Sequence, residues 1–141
     1  MDLVADLAAI RNPMPTPETV TPADLYPDAC AATERHRTDD AHHLEAASDG
    51  LDTDPLLLAL HEARARKTAA DTEIRRLLAY GREFHGPRPY RLESLAEASG
   101  MTPSGVRTAY SEEELRQVAH EIHREPNGKA TKPRPGGRQR D

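Results

Sequence analysis

Seven histidines and one cysteine are the most chemically versatile side chains of this 141-residue sequence, and their spacing argues against a metal. His36, His42 and His43 lie near Cys30, and His120 and His123 sit one helical turn apart. Neither group shows HExxH spacing or the dense carboxylates that would accompany a zinc ion. One cysteine excludes an internal disulfide framework and every structural zinc site that needs two thiolates. Walker-type and dinucleotide-binding glycine spacings are absent, and Cys30 falls in a stretch expected to be disordered, not in a walled electropositive pocket. A core of about 70 to 75 residues buries only about 60% of its surface, which leaves little room for a substrate cavity. The expectation is a protein without catalysis, cofactor or metal.

What remains is charge, and it is unevenly placed. The formal net charge is -5, but residues 1–54 carry net -9 and residues 55–141 net +4. Such asymmetry points to acidic and basic tails with partners of their own. The first 54 residues hold five prolines and bury little apolar surface, so they read as a largely disordered acidic arm, a candidate for binding a protein. Within the arm, Leu3, Val4, Leu7, Ala8 and Ile10 could line one face of a three-turn helix, and Leu25 with Tyr26 could anchor a turn. Residues 125–141, rich in Pro, Gly, Lys and Arg, read as a basic flexible tail able to track phosphates. No apolar run approaches membrane-spanning length, and the amino end lacks the bases of a signal peptide, so the expected compartment is the cytoplasm, without membrane contact.

The ordered part is expected over residues 55–124, all-α. Thr53-Asp54-Pro55 supplies a cap and a proline suited to the first helical position, and a long helix follows to Phe84. Leu56, Leu60, Ala63, Ala70, Ile74, Leu77 and Phe84 recur in the four-and-three step of one buried seam, interrupted by Lys67 and Gly81. So long a helix must break near its alanine-rich middle or project from a small domain. Projection would suit a homodimer through residues 56–84, and packing within the chain is the alternative. His85-Gly86-Pro87-Arg88-Pro89 then stops the helix. Tyr80, Phe84, Tyr90 and Tyr110, four of the five aromatics, locate the core.

Arg91 to Tyr110 has the internal logic of two short helices joined by a tight turn. Leu92, Leu95, Ala96 and Ser99 form one face of the first, which Gly100 ends. Met101 lies in the turn, Thr102 caps the next helix, Pro103 starts it, and Val106, Ala109 and Tyr110 face inward. Small Ala96 lets the second helix cross closely over the first. Ser111 and Glu114 then make a capping box for a closing helix with the stripe Leu115, Val118, Ala119 and Ile122.

Leu95, Ala96, Gly100, Met101 and Val106 stand where the helix-turn-helix domains of bacterial transcription regulators carry such residues. Residues 74–124 resemble those domains, and LLAYGREFHGPRPYRLESLAEASGMTPSGVRTAY is similar to the sigma-factor-like helix-turn-helix of small actinobacterial proteins. The resemblance implies sequence-directed binding of double-stranded DNA and transcriptional regulation, with a recognition helix over 103–110 in the major groove. It implies that Ser104, Arg107 and Thr108 reach base edges and that Gly105 permits close approach. Arg107 is the one side chain there able to make two hydrogen bonds to a guanine edge. Thr102 and its helix start would meet a phosphate, flanked by Arg88 and Arg91. Charge is the counterweight: residues 85–124 carry net -1, where a duplex-binding surface usually has a basic excess. A helical adaptor that binds another protein through the long helix or the helix-turn-helix face is the second expectation.

Overall fold

A computed structural model describes residues 2–127, and among these the chain is all-helical. It divides into two compact units, Met1–Arg66 and Lys67–Asp141. The basic tail expected over 125–141 lies outside the described residues, apart from its first three. Among the described residues no helix is long and apolar enough to cross a membrane.

The first unit corrects the expectation of a largely disordered arm. Helix α1 spans Leu3–Arg11, α2 spans Tyr26–Leu51, and the opening turns of α3, which spans Pro55–Glu83, complete the unit. The physical reason is that a few apolar residues suffice when three helices share them. Leu7, Leu44 and Leu58 form a buried cluster, with Val4 and Ala47 packed against it. Most of the acids remain on solvated faces, so the composition looks disordered although the chain is not. Asp2 caps α1 by accepting from the Ala5 amide, and Asp54 caps α3 by accepting from the amides of Leu56 and Leu57.

Arg11 binds these helices electrostatically. Its Nε and Nη2 donate to the two carboxylate oxygens of Asp40 at 3.1 and 2.9 Å, and its Nη1 donates to Glu62 at 2.8 Å. This fork-to-carboxylate geometry is the stronger class of ion pair. Asn12 Nδ2 also donates to Asp40, and Arg37 Nε donates to the Asn12 carbonyl, which fixes the end of α1 on α2.

Of the break and the projection expected as alternatives, the break does not occur: helix α3 runs unbroken through its middle, where alanine is the best helix-forming residue. Its expected seam, however, is covered only in part: Phe84 is buried and Ile74 packs against a core, but the leucines are exposed. Leu56, Leu60 and Leu77 are 44%, 59% and 59% exposed, whereas Leu58, Ala59, Leu78 and Ala79 are buried. Apart from Ile74 and Phe84, the covered residues of this helix lie in the rows adjacent to the expected seam. The boundary expected at residue 54 accordingly moves into α3, because Leu58 belongs to the core of the first unit.

In the second unit, α4 spans Leu92–Ser99, α5 spans Pro103–Arg107 and α6 spans Glu112–Ile122. Leu78, Ala96 and Val106 make one buried cluster, and Ala79, Phe84 and Val118 a second. Tyr110 packs against both and so joins α3, α4 and α5 to α6.

Replacing Arg11 with methionine is expected to lower stability by about 1–2 kcal/mol, the worth of hydrogen bonds to charged groups at a partly solvated site. In urea unfolding the same substitution should cost less when Asp40→Asn is already present. Strict additivity of the two changes would show that the pair does not couple.

Candidate nucleic-acid interface

The geometry around α5 is set by a glycine, a cap and one buried valine. Gly100 ends α4 at φ 74°, a left-handed conformation that a side chain would strain, and Met101 N then donates to Ala96 O at 3.1 Å. Thr102 caps α5: its hydroxyl oxygen accepts from the Gly105 amide at 2.9 Å. Val106 is fully buried against Leu78 and Ala96. With that side chain inward, Ser104, Arg107 and Thr108 are all exposed.

The helix expected over 103–110 is corrected to Pro103–Arg107. Thr108 is its C-cap at φ -105° and ψ 8°, and Ser111 already caps the next helix. Two caps within four residues leave no room for another turn, and packing of half-buried Ala109 and Tyr110 pulls the chain toward the core. Thr108 therefore lies at the end of the helix, its hydroxyl 3.4 Å from the carbonyls of Ser104 and Gly105.

Gly105 has an internal task. A Cβ there would stand 3.1 Å from the Thr102 hydroxyl and 3.5 Å from the Met101 side chain, so the missing side chain makes space for the cap. Thr102 is itself exposed, with its side-chain oxygen engaged by that cap. Thr102, Ser104, Gly105, Arg107 and Thr108 thus gather on one short helix and its ends. Arg88 and Arg91 lie exposed in the segment that leads into α4. Arg91 Nε sits 3.8 Å from Glu93 in an ion pair open to solvent, worth little. Arg107 and Arg88 make no side-chain hydrogen bond or ion pair among the described residues, leaving both guanidinium groups available.

The segment carrying Arg88 is held by contacts that no local pattern announces. Arg82 donates to the Tyr90 carbonyl at 2.7 Å, and Tyr90 N donates to Gly81 O at 2.9 Å. The His85 and Tyr90 rings meet at 4.5 Å, and Asn127 Nδ2 donates to the carbonyls of His85 and Gly86. Arg124 donates to the Phe84 carbonyl and lies over the Tyr80 ring. Residues 124–127 are thus tied back to the end of α3, across some forty positions. The only signal in the sequence was the aromatic concentration near Phe84.

Two ionisable groups tie the start of α6 and the residue just before its cap to α3. Burial, reinforced by the hydrogen bond to Glu83 at 2.9 Å, pushes the Tyr110 hydroxyl up to about 12. The Ser111 hydroxyl and amide both donate to Glu114, and these bonds, with Arg75 3.5 Å away, hold its carboxyl down to about 2. A depressed carboxyl contributes stability that is fully present above its unfolded value and lost as pH falls through the folded one. The Glu114 contribution should therefore vanish between about pH 4.5 and about pH 2. Acid titration of the wild type followed by circular dichroism should show a loss across that window that is reduced in Glu114→Gln. Identical acid profiles for the two proteins would contradict the assignment.

Comparison of the chain with protein-family models, with curated proteins and with solved structures finds no match.

Proposed function

We propose that the second unit is a helix-turn-helix module that binds double-stranded DNA in a sequence-directed way and serves transcriptional regulation. In this reading α4 is the supporting helix and α5 the recognition helix, with Ser104, Arg107 and Thr108 toward base edges in the major groove. The observation that carries it is the opposition of Val106 and Arg107: one is fully buried, while its neighbour is exposed with an uncommitted guanidinium. A guanidinium held on a short rigid helix can offer two parallel donors to a guanine edge. Arg88 and Arg91, ahead of α4, are the phosphate contacts, and Thr102 positions the helix start through its cap bond.

Affinity needs more charge than these residues supply, since residues 85–124 carry net -1. Beyond Asn127 the sequence adds Lys129, Lys132, Arg134, Arg138 and Arg140. Asn127 itself is bonded to the loop that carries Arg88. The acidic first unit, net -8 over residues 1–66, lowers nonspecific attraction to DNA. An adaptor that binds protein through the same face is the second reading, favoured by the five-residue length of α5 and the weak charge of the segment.

Selection from a random duplex pool, repeated at two salt concentrations, separates the readings. DNA binding predicts an enriched sequence and affinity that falls steeply with salt. Arg107→Ala should then cost about 1–3 kcal/mol on the enriched sequence, and less on random duplex. Recovery of no enriched sequence, with no salt-dependent retention of DNA, would leave the adaptor.

A further inference from the structure

Exposed Leu77 does not stand on a bare face. With Ile74, Leu78, Leu95, Ala98 and Ser99 it lines a hollow of about 170 Å³ between α3 and α4. A Cβ on Gly81 would meet Leu95 Cδ2 at 3.3 Å, so the Leu95 wall rests directly on the backbone of α3. A second hollow, of about 330 Å³, shares Ile74 and Ser99 with the first and adds Asp71, Arg75, Met101 and Ala109. The polar groups around the pair are engaged elsewhere, except one. Ser99 Oγ donates to the Leu95 carbonyl at 2.7 Å, and Arg75 donates to Thr72 at 3.2 Å and lies 3.5 Å from Glu114. Asp71 is exposed and makes no side-chain hydrogen bond or ion pair among the described residues.

We infer that the two hollows form a binding site for a small aromatic amine, its ring in the first and its ammonium on Asp71. Size and charge together select this occupant. An aliphatic cavity of roughly 150 Å³ accepts a benzene-sized ring, so the first hollow holds one ring, whereas a helix about 10 Å across does not enter. Asp71 precedes Ile74 by one turn and Leu78 by two on the same face of α3. Roughly 5 to 10 Å of helix therefore separates its carboxylate from the walls of the ring site, which a two-carbon amine chain can span. With Arg75 answered by Glu114, the uncommitted charge at this end is negative and attracts an ammonium. Met101 carries the effect inward. Its methyl stands 3.5 Å from the point that a Gly105 Cβ would occupy, so one unbranched, pliable side chain lies between the second hollow and α5.

The test uses the full chain and requires no DNA, so its result stands apart from the fate of the DNA-binding reading. Tryptamine is the probe, with indole and indole-3-propionate as neutral and anionic counterparts on the same ring. In magnetic resonance spectra of the methionine methyl groups, millimolar tryptamine should shift Met101 saturably, while Met14 of the first unit stays in place. The Gly105 amide should move with Met101. Tryptamine should bind about threefold tighter than indole, the worth of one solvent-exposed ion pair, and indole-3-propionate should bind more weakly than indole. Asp71→Asn should remove the advantage of tryptamine and leave indole unaffected. Ala98→Leu, which fills the first hollow, should weaken indole and tryptamine at least about tenfold through lost burial of the ring. Positions 71 and 98 are exposed, so helicity should be unchanged in both variants. No saturable shift of Met101, an equal shift of Met14, a tryptamine advantage that survives Asp71→Asn, or undiminished binding to Ala98→Leu would each overturn the proposal.

Discussion

Burial of Val106 under Leu78 and Ala96 is the contact on which the second unit depends, because it ties the shortest helix to the two beside it. A five-residue helix has almost no stability of its own, since nucleation consumes most of what its few hydrogen bonds return. It persists because Thr102 satisfies one free amide at its start and Val106 removes its apolar side from water. With α5 rolled so that residue 106 is inward, positions 104 and 107 have only one direction left. The exposed guanidinium is thus a consequence of packing, and Gly100 and Gly105 are the two residues whose lack of a side chain makes the turn this tight.

Charge works differently in the two units. In the first, Arg11 makes a bidentate contact with Asp40 and a third bond to Glu62, so an excess of acid is locally neutralised where three helices meet. In the second, two arginines are tied to backbone carbonyls: Arg82 to Tyr90 and Arg124 to Phe84. These hold loops in place. Arg88 and Arg107 are spared that task, which separates positioning cations from cations free to meet a ligand.

Local signals were the legible ones. Asp54 and Pro55, Gly100, Thr102 with Pro103, and Ser111 with Glu114 each mark a helix end, and each acts as expected because a cap involves residues only two to four positions apart. The extent of α5 was less legible, since Val106, Ala109 and Tyr110 fit a helical face whether or not the backbone continues as helix. The first unit was hidden by averaging: many acids and five prolines dilute Val4, Leu7, Leu44, Ala47 and Leu58, yet those few residues suffice once they converge. The anchoring of residues 124–127 on the end of α3 was invisible, because hydrogen bonds to backbone carbonyls depend on proximity and leave no pattern in side-chain type.

The sequence by itself determined that the second half of the chain is helical, where most of its helices begin and end, and which α5 residue turns inward, since caps and the 3.6-residue period are local properties of the backbone. Only the tertiary structure decided which row of α3 is covered and that the acidic first half folds against it. Periodicity reports that an apolar stripe exists, but the same stripe on α3 serves equally for a core or for another molecule. Which one it meets depends on where neighbouring helices leave their own apolar surface, and that is settled by contacts between residues far apart in the chain.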